Sequence, residues 1–129
     1  MRSIIAGLFL CLLGLSPALA VEYRCPAYKK VDSEREYTKS MIDKWKYSTR
    51  LVETKDGAFI HRCSHSQTEQ KITCDEYKAD KAVHDTKINA KKFYVFRSQF
   101  NFQIFSDLSS VEDNGRGSIQ YGRCSKVKR

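Results

Sequence analysis

Once an N-terminal leader is set aside, four cysteines remain, and that even number limits what this chain can fold into more than any other feature. Arg2 supplies a positive start, Ile4 to Leu15 is an almost unbroken apolar run, and Ser16-Pro17-Ala18-Leu19-Ala20 ends in the small-x-small pattern that signal peptidase reads. The run is too short to hold a bilayer stably and no later segment approaches the required length, so no stable membrane anchor is expected. Residues 1–20 are read as a signal peptide, and 21–129 as a secreted mature chain of 109 residues beginning at Val21. Cys11 leaves with the leader. Cys25, Cys63, Cys74 and Cys124 stay, and an oxidising compartment predicts two disulfides among them with three connectivities open. The favoured pairs are Cys25–Cys124, which ties the ends of the mature chain together, and Cys63–Cys74, which staples a short polar stretch.

A mature chain of this length holds one domain with one modest core. Discounting Arg2, 22 Lys and Arg stand against 15 Asp and Glu, a net charge of +7. A surface of that sign favours polyanions such as RNA or acidic membrane faces, or serves solubility alone.

Hydrophobic patterning sets the expected order of elements. Val21 to Pro26 reads as a short extended segment. Ser33-x-x-Glu36 has the form of a capping box and precedes Tyr37, Met41 and Trp45 at four-residue spacing, with Ile42 widening the stripe. One amphipathic helix is predicted over Glu34–Tyr47, packed on a sheet by its Tyr37/Met41/Trp45 face. Asp56-Gly57 is a turn signal before an Ala58–His61 strand, and residues 64–73 read as a polar loop closed by the second disulfide. Lys78 to Lys92 is highly charged and reads as an exposed excursion. Phe93-Tyr94-Val95-Phe96 is an apolar-aromatic strand, and Phe100, Phe102 and Ile104 alternate with Asn101 and Gln103. Phe93, Phe96 and Phe102 are expected in the core. Asn114-Gly115 marks a turn before Ser118-Ile119-Gln120-Tyr121. The predicted class is α+β, a single helix on one antiparallel sheet, stapled by two disulfides.

Tyr23-Arg24-Cys25 beside the cleavage site, a single helix, the Phe93-Tyr94-Val95-Phe96 strand, and Gly115-Arg116 before the last strand and Cys124 together give a resemblance. The chain resembles the small ribonuclease-like effectors secreted by powdery mildew fungi, whose fold is that of the fungal guanyl-preferring ribonucleases. The resemblance implies a ribonuclease-like fold over the whole mature chain, export from the fungus and delivery into plant cells. It also implies interference with host immunity by binding a host protein, and recognition by a plant immune receptor.

Ribonuclease chemistry of that kind needs a base for the ribose 2′-hydroxyl, an acid for the leaving 5′-oxygen and a cation on the phosphoryl group. By resemblance, His61 in Phe59-Ile60-His61 stands where a Tyr-x-His strand supplies an acid–base group, and Arg116 stands for the cation. The carboxylate is missing: Lys91 to Ser106 contains no Asp or Glu, and Val95 falls where the base belongs. No histidine follows His84, so the late acid is missing as well. Glu112-Asp113-Asn114-Gly115 reads as a polar hairpin turn. The expectation is a pseudo-ribonuclease; an active secreted ribonuclease is the alternative.

No other constellation is stronger. Cys63-Ser64-His65 with Cys74 and His84 contains zinc-ligand types at a spacing that fits no common structural site, so neither metal nor cofactor is expected. Lys91, Lys92, Tyr94, Arg97, Arg116 and Arg123 combine cations with aromatic neighbours and are the candidate contacts to RNA or a protein partner. The terminal Lys126-Val127-Lys128-Arg129 adds a basic tail, and residues 64–73 and 78–90 are candidate contact loops. The expected molecule is a monomeric secreted effector.

Overall fold

The computed structural model describes residues 20–128; the expected leader, apart from Ala20, lies outside the described residues. In order come β1 (Val21–Val31), α1 (Lys39–Trp45), β2 (Ser48–Thr54), β3 (Gly57–Ser66), β4 (Lys71–Lys78) and β5 (Lys81–Asp85). There follow β6 (Ala90–Val95), β7 (Phe100–Ile104), β8 (Ser109–Asp113), β9 (Ile119–Arg123) and β10 (Ser125–Lys128). All strand pairings among them are antiparallel, in the order β4-β3-β2-β1-β9-β8-β7-β6-β5, with β10 alongside β1.

Two long stretches of chain make this sheet curl into a half-barrel. The first half of β1 pairs with β2 and β10, its second half pairs with β9, and the register shifts between Ala27 and Lys29. Such a bulge bends a strand and re-aims it. The second stretch is β4–β5. At the junction the Ala79 N–H donates to the Ala58 carbonyl of β3, and the Asp80 N–H donates to the Tyr94 carbonyl of β6. The inward faces of the two halves therefore meet. Tyr23, Cys25, Leu51, Ala58 and Ile60 pack against Phe93, Val95, Phe100, Phe102 and Ile104. Fully burying side chains such as Phe102, Leu51 and Ile60 stabilises the fold by about 1.5–3 kcal/mol each.

The α+β, ribonuclease-like class expected from the sequence is overturned: among the described residues strands occupy 61% and helix 6%, too little helix to cover a sheet. The helix is confined to Lys39–Trp45, not Glu34–Tyr47, because Asp32 captures the segment ahead of it. Its carboxylate accepts from the Glu34 and Arg35 N–H groups, and Val31 pairs with Glu36. Ser33-x-x-Glu36 thus lies in a turn, and the cap is Thr38, whose Oγ1 accepts from the Met41 N–H at 3.2 Å. Lys46, at φ 51°, closes the helix in the left-handed region. Of the expected stripe only Ile42 is buried; Tyr37, Met41 and Trp45 are half-buried.

Two segments read as irregular are strands. Residues 64–73 complete the β3–β4 hairpin around residues 67–70, and 78–92 contains β5 and the first half of β6. Both β4 and β5 are largely exposed on both faces, so polar composition there reflects the sheet margin rather than a loop. Phe96, expected in the core, is 62% exposed, since β6 ends at Val95. Cys25 is bonded to Cys124 across 99 residues, and Cys63 to Cys74 across 11 as directly opposed partners on β3 and β4. These are the favoured pairs of the three connectivities.

Candidate functional site at the open end of the half-barrel

The inward rows of the sheet are apolar at one end and ionic at the other. Along one row, Phe102 of β7 stands beside Glu112 of β8, Glu112 beside Gln120 of β9, and Gln120 beside Lys30 of β1. Facing them, Thr49 of β2 and Arg62 of β3 are cross-strand partners. Strand alternation puts all of these side chains inside. Glu112, Lys30, Gln120 and Thr49 are buried.

The five polar groups form one connected network. Lys30 Nζ donates to Gln120 Oε1 at 3.3 Å, Gln120 Nε2 donates to Thr49 Oγ1 at 3.4 Å, and Thr49 Oγ1 donates to Glu112 Oε1 at 2.8 Å. Arg62 Nε lies 3.4 Å from the same carboxylate oxygen, within ion-pair range but without hydrogen-bond alignment. The Lys30 ammonium sits 4.5 Å from the Tyr47 ring centroid, and the Arg62 guanidinium 5.1 Å from that of Phe100. Burial pushes the Lys30 pKa down, Glu112 pulls it back up, and Arg62 pushes it down further. The network opens into a recess of about 170 Å³, whose rim adds Ser48, Ser64 and Asp75. A carboxylate with two cations in such a setting can hold an anionic or hydrogen-bonding group of a ligand, or can simply close on itself.

The residues singled out from the sequence do not assemble here. His61 lies on the outer face of β3, between Glu76 and Arg50, while its neighbour Arg62 turns inward. Beside it, the fully buried Glu22 carboxylate binds Arg24 at 2.9 Å and Arg50 at 3.3 Å. Arg116 is exposed in the β8–β9 turn, its N–H bonded to Asn114 Oδ1. Lys91 donates to Glu53 at 2.9 Å. Burial works to lower its pKa, but Glu53 and Tyr23 outweigh that and raise it. Lys92 and Tyr94 share the outer face with Val83 and Phe96, and Lys92 bonds Asp85 at 3.2 Å. Arg97 is exposed in the β6–β7 turn, and Arg123 stacks 4.6 Å over the Tyr28 ring. The six candidate contacts are therefore dispersed over several surfaces.

Sequence reasoning missed Lys30, Thr49, Arg62 and Gln120, and took Glu112 for a turn residue. Glu112 is a buried strand residue, and the turn begins at Asn114. On β8 and β9 the apolar alternation is inverted: Val111, Ile119 and Tyr121 lie outward and half-buried, and Ser110, Glu112 and Gln120 point inward. Comparison with protein-family models, curated proteins and solved structures finds no match to this chain.

Proposed function

We propose that this chain is a secreted effector that acts by binding a host plant protein, not by catalysis. One observation carries the reading: the acid–base histidine and the cation expected from the sequence are kept apart from the buried carboxylate. His61 faces outward, Arg116 sits in a distant turn, and Glu112 is engaged by Thr49 and Arg62. The secretion leader and the two disulfides support export of a rigid scaffold. Exposed aromatic and cationic groups, such as Tyr28 under Arg123, offer the outer surface to a partner, and a plant immune receptor would read the same surface. The test is incubation of mature, disulfide-intact protein with RNA, together with capture of partners from host extract. Intact RNA and a captured protein lost on Tyr28→Ala/Arg123→Glu support the proposal; cleaved RNA overturns it.

A second reading, an active ribonuclease, draws on the recess itself. There Glu112 would take the 2′-hydroxyl proton, Arg62 would neutralise charge at phosphorus, and Lys30, its ammonium made more acidic by burial, would protonate the leaving oxygen. Cyclic-phosphate products abolished by Glu112→Gln and retained by His61→Ala would establish it. RNA bound but not cleaved would show a steep loss of affinity with salt.

A further inference from the structure

We infer that two copies of this chain pair edge to edge through β5, in place of the monomer expected from the sequence. This strand ends the sheet order and pairs with β6 alone. Lys81, Ala82, Val83 and His84 are all exposed, and the strand holds no proline, glycine or bulge to blunt its free edge. An open edge of this kind is a template for another strand.

Its sequence selects a second copy as the occupant. In an antiparallel pairing about a two-fold axis through Val83, Lys81 stands opposite Asp85 of the other copy, Ala82 opposite His84, and Val83 opposite Val83. The one lysine and the one aspartate of Lys81-Ala-Val-His-Asp85 thus face each other at both ends. Moving the axis to Ala82 sets Lys81 opposite Val83 and Asp85 opposite Ala79, moving it to His84 sets Asp85 opposite Val83 and Lys81 opposite Lys87, and a parallel pairing sets like over like. Opposite charges directly across a strand pair stabilise it and like charges oppose it.

The outer face fits the same axis. Lys81, Val83 and Asp85 line a hollow of about 380 Å³ with Lys92, Tyr94 and Phe96. Val83 is 36% exposed and Phe96 62%, so the two-fold would join two such apolar patches inside a rim of ion pairs. Asp85 already accepts from Lys92 on Oδ2 and from the Lys87 N–H on Oδ1, and a carboxylate has lone pairs left for Lys81 of the other copy. An interface built on five paired residues a side is small, which places self-association in the weak class.

Sedimentation velocity on the mature, disulfide-intact protein from micromolar to millimolar concentration tests this. Wild type is expected to form a dimer that weakens with salt. Lys81→Asp and Asp85→Lys should each weaken self-association by about tenfold or more, since each sets like charges together twice. An equimolar mixture of the two variants should recover it, because every pair then has opposite signs. Val83→Cys should yield a covalent dimer on mild oxidation, as directly opposed strand residues fall within disulfide reach, and Lys87→Cys should not. The crosslink decides the question if Asp85→Lys fails to fold by circular dichroism. A wild type that stays monomeric at millimolar concentration, folded variants that fail to recover on mixing, or equal crosslinking at both cysteines overturns the proposal.

Discussion

Replacing Glu112 by Gln keeps the shape of the side chain and the hydrogen bond from Thr49, and removes the one negative charge between Lys30 and Arg62. At the observed 3.4 Å, and with an effective dielectric of about 20, the Arg62–Glu112 attraction is about 5 kcal/mol before desolvation is counted. Desolvation offsets much of that for the intact pair, but it is not returned when only one partner is deleted. Stranding a buried partner costs about 3–5 kcal/mol. The Arg62 side chain keeps 27% of its exposure, so water takes over part of its solvation, and a loss of about 2–3 kcal/mol is expected. Urea denaturation with the disulfides intact is the assay. With an m-value of about 1.2 kcal/mol per M, the midpoint should fall by about 2 M at unchanged slope. Adding Arg62→Met should return a large part of the loss, since the second change removes the stranded cation. A loss from Glu112→Gln below about 0.5 kcal/mol, or Arg62→Met costing the same in both backgrounds, would refute an energetically coupled network.

The two disulfides should differ in weight. Loops of 99 and 11 residues correspond to about 4.7 and 2.8 kcal/mol of chain entropy, so Cys25→Ala/Cys124→Ala should lower the thermal midpoint well beyond Cys63→Ala/Cys74→Ala; the reverse ranking would count against the entropic account. Because burial lowers the Lys30 pKa, the unfolded chain binds that proton more tightly than the folded one, and this residue makes stability rise with pH up to the ordinary lysine range. Wild type should therefore gain on Lys30→Met as pH is raised from about 8 to 10, and a constant gap would contradict the assignment. Gly115 has φ +74°, and a Cβ there would run into the Gln99 carbonyl oxygen, so Gly115→Ala should cost about 1–3 kcal/mol in urea titration; an unchanged midpoint would show that the β6–β7 and β8–β9 turns do not press together.

The parts of this fold legible in sequence are those where one strand shows its own inside and outside. Phe100, Phe102 and Ile104 declare their face by alternation, and they do line the core. Where both faces are wet, as in β4 and β5, alternation vanishes and a strand reads as a loop. The helix is shorter than its pattern predicts for a different reason. Ser33 and Glu36 have the residue types of a capping box, but the carboxylate that organises the backbone there belongs to Asp32, one position earlier. Local rules name the kind of group that can cap; geometry chooses which one does.

The ionic end of the interior was hidden because its facing is inherited rather than local. Phe102 points inward, cross-strand pairing carries that parity to Glu112, then to Gln120, then to Lys30, and each is forced inside against its own polarity. From Lys29 and Lys30 alone nothing distinguishes an exposed lysine from a buried one. The same parity separates His61 from the network by a single residue. A one-residue slip of β3 would turn His61 toward Glu112 and Arg62 toward solvent, bringing together the acid and base whose separation supports a binding role. Ile60 and Ala58, inward on β3, and the directly opposed Cys63–Cys74 pair hold the register against that slip. The short disulfide closes too small a loop to carry most of the stability, and its sharper consequence is to keep Arg62 inside the half-barrel and His61 outside it.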